Sequence, residues 1–170
     1  MNLIEHYIDG KSFSGSSEKK GKIFNPATGK QESEVKLGSK VDLDLAVEKA
    51  KKAFDSWSNV TPLQRARVIF KFKDLIEKNS DELTKLIVKE HGKVYEDAKG
   101  SLIRGLEVVE FACGIPQMLK GEFTENVGTN IDSWSTRQPL GVCAGITPFN
   151  FPAMVPMWMF PMAIACGNTF

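Results

Sequence analysis

The stretch from Pro139 to Phe170 limits the possible folds more than any other part of the chain. It carries no charged residue and contains four further prolines. An uncharged apolar run of this length passes the usual threshold for a membrane-spanning helix. The prolines, the polar Asn150 and the lack of basic residues on the far side of the run argue against a span.

A buried strand, a tight loop and a buried helix account for the same residues better. Gly141–Ile146 is short, apolar and bounded by glycine, which predicts a strand covered on both faces. A loop with Pro148 follows, and Ala153–Cys166 is long enough for a helix that ends at Gly167. Pro161 should kink that helix. Because open α/β sheets bind ligands beyond the carboxyl ends of their strands, the loop is a candidate binding site.

Residues 141–152 run Gly-Val-Cys-Ala-Gly-Ile-Thr-Pro-Phe-Asn-Phe-Pro, and Trp158, Pro161 and Gly167-Asn168-Thr169 follow. This pattern resembles the first nucleotide-domain strand, loop and helix of the aldehyde dehydrogenase superfamily. Many members have Trp before the key Asn, whereas this chain has Phe149. Phe149 and the Met-rich run after it are similar to the CoA-acylating methylmalonate-semialdehyde dehydrogenases.

The resemblance covers the whole chain and implies an α/β fold with a Rossmann-type NAD-binding domain. Residues 1–117 would form the amino-terminal helical part of that domain, 118–138 an oligomerisation β-hairpin, and 139–170 the start of the NAD-binding sheet. Family members are much longer, so we expect an amino-terminal portion or a truncated product. The hairpin implies a homo-oligomer, dimer or tetramer, because two strands alone are only marginally stable.

Composition and charge exclude several classes of protein. The chain is 42% apolar and 25% charged, as soluble globular proteins are, and its net charge of +1 gives no case for binding nucleic acid or anionic membranes. Three widely spaced cysteines form no metal-binding pattern and fit a reducing compartment. The first residues resemble neither a signal peptide nor a transit sequence, so we expect a cytoplasmic protein.

Capping residues predict four helices in the amino-terminal part. Ser39 and Asp42 start the first, and Thr61-Pro62-Leu63-Gln64 starts the second, which runs to about Lys78. Asn79 or Ser80 starts the third, which ends at Gly92, and Val94–Cys113 forms the fourth, stopped by Pro116. The side chains expected to face the core are Leu43, Val47, Ala50, Phe54 and Trp57; Leu63, Ala66, Ile69, Phe70 and Ile76; Leu83, Leu86 and Ile87; and Val94, Ala98, Leu102, Val109 and Ala112.

Turn signals mark the strands. A turn at Asp9-Gly10 follows a short strand, and the strand ending at Phe24 runs into a turn at Asn25–Gly29. Glu122–Thr124 and Ile131–Gln138 are predicted to pair as a hairpin.

Two glycines and an arginine distinguish the fourth helix. Gly100 and Gly105 are poor helix formers, which suggests that another backbone or a ligand comes close. Arg104 is expected, from its position alone, to form a surface ion pair with Glu107. The segment is also similar to one in the methylmalonate-semialdehyde subgroup, whose helical Arg is implicated in holding the substrate carboxylate. A guanidinium suits that role because it is always charged and binds carboxylates in a bidentate manner.

The resemblance assigns the remaining site residues. Asn150 matches the residue whose amide stabilises the oxyanion of the tetrahedral adduct; without the resemblance, it is an ordinary cap of the following helix. Thr147, Pro148 and Phe149 match positions that line the NAD cofactor.

No cysteine or histidine of the chain is expected to react. Cys113, Cys143 and Cys166 fall in a helix, a buried strand and a helix end, outside any segment similar to the family's nucleophile loop. Buried cysteines usually act as small apolar residues. His6 and His91 are expected at the surface, without a role.

The resemblance implies NAD-dependent, CoA-acylating oxidation of methylmalonate or malonate semialdehyde to propionyl-CoA or acetyl-CoA, with loss of CO2. The nucleophilic Cys would come from sequence beyond residue 170, so the chain alone should be inactive. Two alternatives remain open: a non-catalytic interaction module, and a dehydrogenase of uncharged aldehydes.

Overall fold

Strands dominate the first quarter of the chain and helices the rest, in a computed structural model that describes residues 2–170. The strands are β1 (Asn2–Ile4), β2 (His6–Ile8), β3 (Lys11–Phe13), β4 (Lys20–Phe24), β5 (Gln31–Lys36), β6 (Phe123–Gly128) and β7 (Ile131–Trp134). The helices are α1 (Lys40–Trp57), α2 (Pro62–Lys78), α3 (Ser80–His91), α4 (Tyr95–Cys113), α5 (Ile115–Met118) and α6 (Met154–Ala165).

The amino-terminal strands form two small sheets. β5 lies between β1, which is parallel to it, and β4, which is antiparallel. Strands β2 and β3 form a separate hairpin across Asp9 and Gly10, both of which have positive φ. That geometry fits a tight hairpin turn and confirms the predicted turn. The predicted turn after Phe24 is also confirmed, since the N–H of Gly29 donates to the carbonyl of Asn25.

A capping box starts α1 at the predicted residues. The carboxylate of Asp42 accepts hydrogen bonds from the backbone and hydroxyl of Ser39, and the hydroxyl of Ser39 accepts one from the N–H of Asp42. The N–H of Ser16 also donates to Asp42, at 2.7 Å. The Ser39 N–H, followed by the Ser16 N–H, holds the pKa of Asp42 well below its usual range.

The predicted apolar face of α1 is only partly confirmed. Leu43 and Val47 are exposed, whereas Trp57 packs toward α6 and donates from Nε1 to the carbonyl of Ile164 at 2.9 Å. Periodicity shows which residues share a helix face, but it does not show whether another element covers that face. Within residues 2–170, the first half of this face remains uncovered.

The predicted starts and ends of α2, α3 and α4 agree with the structure. Thr61 caps α2, Gly92 ends α3 with a φ of 81°, and α4 ends at Cys113. Part of the predicted inward faces is wrong, for the same reason as in α1: Leu63, Phe70, Leu86 and Val94 are exposed.

The core lies where α2, α3, α4 and α6 meet. Its buried members are Ala66, Ile69, Ile87, Ala98, Leu102, Val109, Ala112, Cys113, Ile115, Met157 and Ala165. At its edge, the rings of Phe72 and Phe160 meet edge to face, with centroids 5.4 Å apart.

One of the two glycines in α4 is a point of close approach. A Cβ on Gly105 would lie 3.0 Å from the Cα of Met154 and within clashing distance of Met157. A Cβ on Gly100 would meet no atom within 4 Å, so the close approach predicted there is wrong for the residues that the structure describes. Gly105 therefore allows the start of α6 to press against α4.

The carboxyl end of α6 is held by a backbone turn and by the side chain of Arg65. Gly167 has a φ of 94°, and its N–H donates to Ile164 while that of Asn168 donates to Ala163, which satisfies two terminal carbonyls. Arg65, only 4% exposed, donates from Nε to the carbonyl of Ala165 at 2.8 Å. The predicted helix Ala153–Cys166 is thus confirmed to within one residue at each end, with Pro161 inside it.

The predicted strand Gly141–Ile146 is wrong. One parallel bridge joins Val142 to Thr169, and Ile146 is 96% exposed. A buried strand needs neighbours along its whole length, and within residues 2–170 only the short stretch at Thr169 pairs with it. The side chain of Asn168 instead accepts hydrogen bonds from the N–H groups of residues 140 and 141.

β6 and β7 form the predicted hairpin, but the strand boundaries shift. The turn lies at Thr129-Asn130, and Asn130 has a φ of 56°. Four large apolar side chains of the hairpin are exposed: Phe123, Val127, Ile131 and Trp134. No helix among residues 2–170 has the length and apolar character needed to cross a bilayer.

Replacing Gly105 with Ala should destabilise the protein by about 1–3 kcal/mol, because the added methyl group overpacks the contact between α4 and α6. Gly100→Ala is the matched control: with open space around it, the better helix former should stabilise α4 by up to about 1 kcal/mol. Chemical denaturation measures both changes. Equal effects of the two substitutions would contradict the close approach at Gly105.

Replacing Asp42 with Asn should make stability less dependent on pH in acid. The pKa of Asp42 is lower in the folded than in the unfolded protein, so its contribution is complete above about pH 5 and disappears as pH falls below about 4. The difference in unfolding free energy between wild type and Asp42→Asn should therefore shrink toward pH 2. Asp44→Asn, which removes only a surface ion pair with Lys40, should change little, and a constant difference for Asp42→Asn would contradict the assignment.

Candidate active site

The loop from Thr147 to Asn150 lies between the bridge at Val142 and the start of α6. All four of its residues are exposed. Within residues 2–170, the side chains of the loop therefore do not belong to the core.

Asn150 does not cap the helix that follows it. The N-cap position of α6 is Ala153, and no side chain caps that end. The interpretation of Asn150 as a structural cap is therefore wrong, and its exposed amide is free to serve another purpose.

The aromatic rings on both sides of Asn150 contact side chains at the end of α3 and in the link between α3 and α4. The ring of Phe149 lies 6.2 Å from that of His91, at an interplanar angle of 32°. The ring of Phe151 has the Lys93 Nζ atom 4.0 Å from its centroid. These contacts define the surroundings of the candidate amide donor.

Arg104 approaches the same loop. Its Cζ atom lies 5.9 Å from the centroid of Phe151, and its Nε donates a long hydrogen bond, 3.4 Å, to the carbonyl of Gly100. Among residues 2–170 it forms no salt bridge, so the expected surface pair with Glu107 does not form. The structure thus brings together Arg104 and Phe151, the residue after Asn150, which are 47 positions apart in sequence.

Two cysteines have the properties of unreactive thiols. Cys113 is buried, and its Sγ lies 3.4 Å from the carbonyl of Val109. Burial raises the pKa of the Cys113 thiol, and burial also raises that of Cys166, against the opposing effect of the Arg65 guanidinium. Cys143 lies in the bridge region, where its N–H donates to the carbonyl of Thr169.

Sequence reasoning missed two basic residues of this site. His91 was expected at the surface, yet it is half-buried, and its Nδ1 atom is buried without a hydrogen-bond partner among the described residues. Lys93 received no assignment. Lys93 lies in the link before α4, where Val94 has an extended backbone with a ψ of 152°, so no helical spacing relates it to Arg104.

His6 is also half-buried, and its Nε2 atom has no partner among residues 2–170. No group of three His, Cys, Asp or Glu side chains within the described range is arranged to hold a metal ion.

Solved structures of whole dehydrogenases contain this arrangement of elements. A structure from Sinorhizobium meliloti 1021, assigned as a methylmalonate-semialdehyde dehydrogenase and solved with NAD, superposes with a TM-score of 0.96 at 54% identity, over 99% of this chain and 34% of that one. A methylmalonate-semialdehyde dehydrogenase from Oceanimonas doudoroffii gives a TM-score of 0.95 at 53% identity, with the same coverage of both chains.

Sequence comparison points the same way. Malonate-semialdehyde dehydrogenase from Pseudomonas aeruginosa is 51% identical over the whole of this chain, which corresponds to 34% of that protein. The chain therefore spans about a third of the length of the relatives that it matches. The profile of the aldehyde dehydrogenase family matches residues 13–170, and with an aldehyde dehydrogenase fold established over almost its whole length, the chain belongs to the aldehyde dehydrogenase family.

Proposed function

We propose that this chain is the amino-terminal part of an NAD-dependent, CoA-acylating dehydrogenase of malonate or methylmalonate semialdehyde. The observation that carries the proposal is the meeting of Arg104 with Phe151, next to Asn150. Arg104 is a cation that can pair with a carboxylate, and Asn150 has an amide that can donate to an oxyanion. Both then lie near the same loop. The names of the relatives support the same substrate class.

Asn150 is the proposed oxyanion donor. Attack on an aldehyde turns its carbonyl oxygen into an alkoxide, and a fixed N–H donor stabilises this charge more than it stabilises the ground state. The amide of Asn150 is exposed, and it has no capping role in α6. It therefore does not have to break a structural hydrogen bond before it can donate to the substrate.

Arg104 is the proposed partner of the substrate carboxylate. It is exposed and free of acidic partners within the described chain, so its guanidinium remains available for a bidentate contact. Gly105 allows α6 to approach α4 and so places the neighbouring Arg104 beside the loop. An aldehyde without a carboxylate would gain nothing from this residue, which distinguishes the proposal from a general aldehyde dehydrogenase.

Thr147, Pro148 and Phe149 are the proposed cofactor contacts. All three are exposed in a loop that leads to a helix start without a side-chain cap, and these features fit a cofactor lying along the loop. NAD, when bound, accepts a hydride from the substrate. The nucleophilic thiolate would come from protein outside residues 1–170, and CoA would be the second substrate.

The β6–β7 hairpin is the proposed contact between subunits. Phe123, Val127, Ile131 and Trp134 expose large apolar surfaces on two strands, and an isolated pair of strands is marginal in water. A second copy of the full-length protein would cover these side chains in a homo-oligomer.

In the full-length enzyme, Asn150→Ala should lower kcat for malonate semialdehyde about a hundredfold or more, because one preorganised oxyanion donor is lost. Steady-state kinetics measures the change. Asn59→Ala removes an exposed amide that donates only to a helix carbonyl, and it should leave kcat unchanged. An unaltered kcat in Asn150→Ala would remove this amide from the mechanism.

Arg104→Leu should lower kcat/KM for malonate semialdehyde about tenfold to a hundredfold, since a charge-assisted pair with the carboxylate is lost. The same variant should oxidise propanal as the wild type does, because propanal has no carboxylate. Arg67→Leu, at an exposed position of α2, is the matched control. Intact activity of Arg104→Leu on the semialdehyde would refute the carboxylate role and favour a general aldehyde dehydrogenase.

A further inference from the structure

Lys93 occupies a fixed position beside the candidate loop. It follows Gly92, whose left-handed φ of 81° ends α3 and turns the chain toward α4. A Cβ on Gly92 would lie 2.9 Å from Cγ of Pro26, so this turn packs closely against the amino-terminal sheet region. The backbone that carries Lys93 is therefore anchored, and its side chain approaches the loop from a defined direction.

The ammonium group of Lys93 faces an aromatic ring and no carboxylate. Its Nζ lies 4.0 Å from the centroid of Phe151, and Lys93 forms no salt bridge among residues 2–170. A cation over the face of a ring is attracted by the negative potential of its π-system, and the attraction grows as water is excluded. Lys93 is half-buried, so this contact is not a fully solvated one.

The same ring connects the two groups that the proposed function uses. Phe151 directly follows Asn150, and the Arg104 Cζ lies 5.9 Å from its centroid. A displacement of Phe151 would therefore shift the backbone next to the proposed oxyanion donor, and it would change the ring surface that the Arg104 guanidinium faces.

We infer that Lys93 is a positioning residue that holds the Phe151 ring and, through it, the orientation of the Asn150 amide toward the reacting carbonyl. This inference rests on the proposed function, since it assigns Lys93 a part in the same reaction. Lys93 does not touch the substrate; it acts through the ring. Its removal therefore affects turnover of charged and uncharged aldehydes alike.

The test uses the full-length enzyme with Lys93→Met, which keeps the length of the side chain and removes its charge. We expect kcat to fall about threefold to thirtyfold for both malonate semialdehyde and propanal, the range that a partly buried cation–π contact supports. Lys93→Arg keeps a cation able to stack on the ring and should restore most of the activity. Lys71→Met, at an exposed position of α2, should behave as the wild type does.

Double variants separate positioning from a general loss of stability. Phe151→Leu removes the π-system, so adding Lys93→Met to it should cause no further loss of kcat. In the Asn150→Ala background, Lys93→Met should likewise have little effect, because the amide that it positions is absent. A purely structural role would lower activity by the same factor in every background.

A wild-type kcat for Lys93→Met, alongside an impaired Asn150→Ala, would overturn the role of Lys93 and leave the proposed function standing. A loss seen only as a higher KM for the semialdehyde, with propanal unaffected, would also overturn it, since Lys93 would then act on the carboxylate and not on the orientation of Asn150. An unimpaired Asn150→Ala would instead refute the proposed function itself, and the positioning role with it.

Discussion

The close contact of α4 with the start of α6 is the constraint on which the rest of the site depends. It exists because Gly105 has no side chain where the Cα of Met154 and the side chain of Met157 press against α4. Helices can approach this closely only where a small residue faces the partner. The contact brings Arg104, the neighbour of Gly105, beside Phe151 in the loop that precedes α6. The proposed carboxylate-binding cation and the proposed oxyanion donor then come from segments that are distant in sequence.

The other end of α6 is fixed by side chains that bind its terminal carbonyls. Trp57 from α1 donates to Ile164, Arg65 from α2 donates to Ala165, and Asn168 closes the helix on Ala163. Arg65 thus satisfies a terminal carbonyl that burial would otherwise leave unpaired, whereas the carbonyls of Ile164 and Ala163 also accept hydrogen bonds from the N–H groups of Gly167 and Asn168. Because contacts fix both ends of α6, the loop that precedes it starts from a fixed position on the helix.

Local chemistry made much of the secondary structure predictable. Ser39 with Asp42, Thr61 with Pro62, and the glycines at 92 and 167 act within a few residues of their own positions, so the helix ends agreed to within one or two residues. Burial was predicted less well, because it depends on distant elements. Leu43, Val47 and Leu63 have the right spacing for a buried face but remain exposed, and Gly141–Ile146 has the composition of a strand without the neighbours that a strand needs.

The sequence by itself determined the family, the helix ends and the identities of Asn150 and Arg104 as candidates, because these depend on local motifs that a chain carries wherever it folds. Only the tertiary structure decided that Arg104 has no acidic partner among residues 2–170 and that Asn150 does not cap α6. It also decided that Lys93 and His91 contact the rings flanking Asn150. These facts depend on how α3, α4 and α6 pack. A glycine inside α4 predicts a close approach at Gly105, but only the fold decides that the partner is Met154, about 50 positions away.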